Sequence, residues 1–320
     1  MRQNLERSGV RRAHTSPGLA TRVSLRAELL RIGMRWFVKH RIGPGTDIAE
    51  MRRWLELVQR YVPAPSSRTE TLSIKPAGVS AHWITTAASD NDRHVLYLHG
   101  GAYIVGSPLL YRDLTWRIAK RARARVLCID YRLAPEFPFP AAVDDAIKVY
   151  RWLVDNGANP RRIAIMGDSA GGGLAFATLL KLRDDGAQLP AAAVTLSPWT
   201  DLALTGMSMK LNAETEANVN SAQASRFAGH YLAGADPRTP YASPLYGDLS
   251  GLPPTLIQVG SDEMLLDDSV RMADKLRAAN CEVDLEIWPR MPHAWHLFAR
   301  LLPEARHAIE RIGIFLRAHT

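Results

Sequence analysis

Between residues 71 and 100 the chain runs through "TLSIKP", "VSAHWITTA" and "HVLYLHG", short segments rich in β-branched and aromatic residues. Five more follow: "RVLCIDYR", "RIAIMGD", "AAAVTLSP", "TLIQVGS" and "VDLEIWP". From the third segment onward, stretches with helical periodicity separate them. Short apolar strands alternating with helices predict a largely parallel sheet covered on both faces, with an antiparallel start from the first two. Ser107 and Pro108 read as N-cap and first position of a helix over "LLYRDLTWRIAKRA", and Gly157 as the stop of "AAVDDAIKVYRWLVDNG". Nearer the N-terminus, residues 23–38 place Leu25, Leu29, Ile32 and Trp36 on one helical face. That helix either packs on its own domain or lies on a lipid surface.

Composition alters this picture little. At 320 residues, 47% hydrophobic and 22% charged, the chain can bury a large core. Its two cysteines, Cys128 and Cys281, stand far apart with no metal-ligand spacing, and Cys128 reads as a packed core thiol. The net charge of +8 is uneven: residues 1–60 hold 13 Lys/Arg against 5 Asp/Glu, and residues 61–320 hold 27 of each. A neutral body without an aromatic and basic patch argues against nucleic acid. The N-terminal stretch lacks the apolar core of a secretory signal, and no later run reaches the ~20 apolar residues of a membrane span. The expectation is a soluble, cytoplasmic protein with peripheral membrane contact through the basic N-terminus as an option.

Ligands of such sheets bind beyond the carboxyl ends of the strands. One strand runs into "GDSAGGG" and then a helix, so Gly167, Ser169 and Gly171 satisfy the GxSxG turn that exposes a serine hydroxyl. A serine nucleophile needs a base, and the base an orienting acid. "TLIQVGS" leads to Asp262 and Glu263, and "VDLEIWP" to His293 and His296, in the order this arrangement requires. The bland alternatives are a helix-capping carboxylate and a structural loop histidine. "HGGAY" at 99–103 ends another strand with two glycines, which suit a tight turn or close approach to backbone N–H groups.

Taken together, "HGGAY", "DYRLAPE" (130–136), "GDSAG" (167–171), "GSDEMLLDDS" (260–269) and "MPHAWH" (291–296) resemble the hormone-sensitive-lipase family of α/β-hydrolase esterases, from about residue 65 to the end. The resemblance implies an α/β-hydrolase fold with a mostly parallel central sheet, helices on both faces and a helical cap. Residues 1–65 would form an N-terminal cap segment, 66–320 the catalytic domain, and roughly 200–245 would add to the cap. It implies oxyanion donors at Gly100, Gly101 and Ala170, with Ala102 replacing a glycine common in relatives. Relatives place the acid two residues before a leucine and four before an aspartate. This favours Glu263, with Leu265 and Asp267, over Asp262. The family histidine follows a Met-Pro-like pair, which favours His293 over His296.

His99 then reads as a structural residue of its turn, Asp130 and Arg132 as a structural pair, and Trp36, Phe37 and Leu211 as candidate pocket-lining residues. The implied activity is cofactor-free and metal-free hydrolysis of a small-molecule ester with a short acyl group. Lactone hydrolysis, N-acyl amide deacetylation and ligand binding without catalysis are the alternatives. The last strand could offer an edge for a homodimer.

Overall fold

The computed structural model describes residues 23–41, 45–66, 68–217 and 220–320. Two helices come first, α1 (Leu25–Arg41) and α2 (Ile48–Tyr61). Eight strands follow: β1 (Thr69–Ile74), β2 (Ala81–Thr86), β3 (His94–Leu98), β4 (Arg125–Ile129), β5 (Ile163–Asp168), β6 (Ala192–Leu196), β7 (Thr255–Gly260) and β8 (Val283–Trp288). They form one sheet in the order β1-β2-β4-β3-β5-β6-β7-β8. The first pair is antiparallel, as the pattern predicts, and β2 also meets β4 antiparallel; the other pairings are parallel.

Alternate residues of each inner strand feed two separate cores. Leu96, Leu98, Leu127, Ile129, Ile163 and Ile165 face one side. There α4 (Ala141–Asp155), α5 (Ala170–Asp184) and α8 (Leu266–Ala278) bury their apolar faces. Val95, Tyr97, Val126, Cys128, Ala164 and Met166 face the other, under α3 (Arg112–Ala122) and α9 (Pro303–His319). Burial on both faces is why these strands are apolar runs rather than alternating ones. Replacing one such leucine by alanine costs about 2–5 kcal/mol.

The helix after β3 begins at Arg112, later than Ser107 and Pro108 suggest. Ser107 opens a separate turn, its carbonyl accepting from Leu110, and its hydroxyl donates to Gln59 of α2 instead of capping a helix. Gly157 does end α4, at φ 90°. The helix α1 forms where expected, but with the opposite face inward. Ala27 and Met34 are buried, while Leu25, Leu29, Ile32 and Trp36 are exposed. Polar ties decide this. Ser24 bonds Glu304, Glu28 pairs with Arg290, and Arg31 reaches Asp262.

Because β4 lies on one side of β3 and β5 on the other, chain direction across the sheet reverses between β3 and β5. The turns after those two strands are therefore neighbours, with Leu98 registered against Gly167. Such switch points open a crevice at the sheet's carboxyl edge.

Candidate active site

Ser169 sits directly after β5 with φ 53° and ψ −122°, a left-handed conformation unusual for a residue with a side chain. Its N–H donates to Leu196 and its carbonyl accepts from Trp199, so the sharp turn is fixed on both sides. The flanking glycines are required by close approach: a Cβ on Gly167 would lie 2.2 Å from the Gly171 carbonyl oxygen, and one on Gly171 2.0 Å from that of Leu98. Ala170 then begins α5, where an N–H has no acceptor within the helix.

His293 follows β8 and lines the same cavity as Ser169. Its Nδ1 is 2.8 Å from Oε2 of Glu263, which follows β7 and is fully buried. The other carboxylate oxygen of Glu263 accepts from the Ser197 hydroxyl at 2.7 Å and the Gly260 N–H at 2.6 Å. Both oxygens are thus fixed, with one aimed at the imidazole. Burial alone would lower the His293 pKa, but the bond to Glu263 and the charges of Glu263, Glu216 and Asp168 raise it above its ordinary value.

Asp262, the second choice of acid, points elsewhere. It accepts from Ser261 and lies 3.6 Å from Arg31 of α1. His296 is buried too, but its Nε2 is 2.8 Å from the Gln258 side chain, and burial together with the His293 charge pushes its pKa down to about 3. It is a core histidine.

The "HGG" turn is held by Asp168, a residue the sequence reading passed over. Its buried carboxylate accepts from the Tyr97 hydroxyl, the Tyr111 hydroxyl and the Gly100 N–H, each at 2.9 Å. Burial raises its pKa to about 6 against these three donors, which favour the anion. The Gly100 bond corrects the expectation that its N–H faces a substrate, because that amide is already committed. Gly100 must still be glycine, since a Cβ would come 2.2 Å from Asp168. Among the described residues the N–H groups of Gly101 and Ala102 have no acceptor, and both residues line the cavity. Ala102 takes φ 56° to present its amide, so the missing glycine does not block the turn. His99 is fully buried, stacked on Tyr131 at 4.4 Å, with burial lowering its pKa to about 4.

Two further expectations change. Arg132 pairs with Asp145 of α4 at 2.8 Å rather than with Asp130, because the first turns of α4 bring that carboxylate back to the loop. The cavity, about 580 Å³ and mainly apolar, is lined by Met34 and Met209 rather than by Trp36 and Leu211. Trp36 lies on the outer face of α1, and Leu211 ends the short α6 (Ser208–Leu211) exposed to solvent. The Phe37 side chain lies outside the described residues. Further lining comes from Trp54 and Val58 of α2 and from Ala224 and Phe227 of α7 (Ser221–Leu232). Tyr231 of α7 stacks parallel on Tyr103 at 3.7 Å, fastening the 200–245 segment to the turn after Ala102. Glu216, buried among these residues, was also missed. It belongs to no strand end and carries no motif.

Comparison with known proteins agrees with this fold. The profile of the alpha/beta hydrolase fold family matches residues 95–297. The chain is similar to an acetyl-hydrolase of Streptomyces hygroscopicus, 50% identical over 241 residues, 75% of this chain and 80% of that protein. An esterase of Acinetobacter venetianus is 38% identical over 249 residues, 77% of this chain and 82% of its own. A crystal structure of an esterase from the bacterial hormone-sensitive lipase family superposes with a TM-score of 0.88 at 44% identity, covering 93% of this chain and 99% of that one. Among the described residues no helix is long and apolar enough to cross a membrane. With the switch-point crevice, the serine turn and these matches in agreement, the chain belongs to the alpha/beta hydrolase fold family, in its hormone-sensitive-lipase branch.

Proposed function

We propose that this protein is a serine carboxylesterase that hydrolyses esters of short acyl groups through an acyl-enzyme on Ser169. The observation that carries the reading is the union of Ser169 in a strained turn with His293, bonded at 2.8 Å to a fully buried Glu263, on one cavity wall. Nδ1–H of His293 donates to Glu263, leaving Nε2 to take the Ser169 proton as the hydroxyl attacks the ester carbonyl. The oxyanion accepts from the amides of Gly101, Ala102 and Ala170. Each such donor contributes about 2.7–4 kcal/mol to the transition state. His293 then protonates the departing alcohol, and the same residue activates the water that frees the acid. The walls from α1, α2, α6 and α7 act as a cap over the crevice and exclude water from it. The similarity to an acetyl-hydrolase supports a small acyl group.

Hydrolysis of p-nitrophenyl esters from acetate to palmitate tests the reading. Rates are expected to be highest on the short esters and lost in Ser169→Ala. Glu263→Gln is expected to lower kcat by about 10⁴, the scale set when a triad carboxylate becomes an amide or is removed. Asp262→Asn should stay near wild type, because its carboxylate meets Ser261 and Arg31 and not His293. Turnover that survives Ser169→Ala, or a reversed ranking of the two acid variants, overturns the assignment.

A further inference from the structure

The outer face of α1 is apolar and exposed to solvent. Leu25, Leu29, Ile32 and Trp36 are 82%, 69%, 51% and 69% exposed. At about 100° per residue these four fall within a strip about 60° wide. Met34, on the opposite side of the helix, reaches into the cavity. The helix α1 is therefore a wall of the crevice with an oily outer surface, which a helix facing only water would not keep.

Charge selects what covers it. Arg26 and Arg35, both exposed, sit about a quarter turn to either side of the strip. Glu28, the one acidic residue of α1, is taken by Arg31 and Arg290. The whole excess of +8 lies in residues 1–60, against a body with equal numbers of each sign. A second copy would bring one basic strip against another, and like charges repel. An anionic lipid surface accepts both features, with apolar side chains entering the acyl boundary and arginine heads staying at the phosphates.

We infer that α1 docks this protein, through Leu25, Leu29, Ile32 and Trp36 flanked by basic residues, onto anionic lipid surfaces. The contact is peripheral. Docking sets the mouth of the crevice beside the lipid, since Met34 on the same helix and Tyr61 at the end of α2 line that crevice. The inference does not depend on the ester chemistry.

The test is co-sedimentation of the full chain with vesicles of phosphatidylcholine alone, or with roughly 30% phosphatidylglycerol added. The wild type is expected to pellet with the anionic vesicles only, and less so in about 0.5 M salt. A Leu29→Gln, Ile32→Gln double variant is expected to lose more than tenfold in partitioning, since two aliphatic side chains no longer leave water for the acyl boundary. Its circular dichroism melt and p-nitrophenyl acetate rate should match wild type. The melt alone is the folding control should no ester be hydrolysed. Wild type left in the supernatant with both vesicles overturns the inference, as does a variant that pellets equally well. A vesicle-free dimer that the double variant dissociates, seen by analytical ultracentrifugation, would instead assign the strip to a second copy and sink the lipid reading.

Discussion

Three carboxylates act on the imidazole of His293: Glu263 by a hydrogen bond, and Glu216 and Asp168 by charge. Burial opposes them and is outweighed, so the folded-state pKa stands above 6.5. A general base works only when neutral, so kcat/KM must rise as pH climbs through that raised value. The acid limb of the profile is therefore expected above pH 6.5. Glu216→Gln removes one of the raising charges while its side-chain oxygen can still accept from the Met264 N–H, bonded at 3.1 Å. The limb should move to lower pH with the plateau rate little changed. An unmoved limb would show that Glu216 has no electrostatic hold on the base. At this scale the sequence points to Ser169, Glu263 and His293 because motif and strand end coincide there, and the fold brings Glu263 and His293 into a hydrogen bond. Gly100 was misread because its N–H meets Asp168, a partner 68 positions away that only the fold brings close.

At the scale of elements, β3 to β7 could be read because a doubly covered strand must be apolar throughout, and few other segments are. The helix α1 was harder. It carries two apolar arcs, one of Leu25, Leu29, Ile32 and Trp36 and one of Ala27, Leu30 and Met34, and periodicity cannot say which faces in. The choice follows from Ser24, Glu28 and Arg31 bonding to residues far along the chain. The helix α5 allows no such freedom, being buried over most of its length against β3, β5 and β6. Its start touches backbone: a Cβ on Gly171 would lie 2.0 Å from the Leu98 oxygen and 2.5 Å from that of His99. Carbonyls in a sheet edge cannot move aside as a side-chain tip does. Gly171→Ala is thus expected to destabilise the fold by about 3 kcal/mol or more and lower the thermal midpoint in circular dichroism. A midpoint equal to wild type would mean that α5 and β3 are not packed as described.

At the scale of the whole molecule, Arg52 ties α2 to the body beside the buried Met51 and the bond of Gln59 to Ser107. Its Nε donates to the Ile104 carbonyl at 3.0 Å, one terminal nitrogen to Glu136 at 2.7 Å, and the other to Glu136 at 2.9 Å and the Ala134 carbonyl at 2.8 Å. One guanidinium thus joins α2 to the turn after the free amides of Gly101 and Ala102 and to the "DYRLAPE" loop. Nothing in a helical pattern marks Arg52 from the other arginines of this basic segment, because its four acceptors come from two distant loops. Trp54 and Val58 of the same helix line the cavity, so loosening α2 should disturb substrate binding while leaving Ser169, His293 and Glu263 in place. Arg52→Ala is therefore expected to raise KM for p-nitrophenyl butyrate several-fold, corresponding to about 1 kcal/mol of lost binding, with kcat changed much less. Arg52→Lys should restore little of it, since an ammonium cannot span the carboxylate and both carbonyls as the planar fork does. If kcat falls instead while KM holds, the bridge positions the turn that carries the Gly101 and Ala102 amides, and α2 is not the part of the cap that grips the substrate.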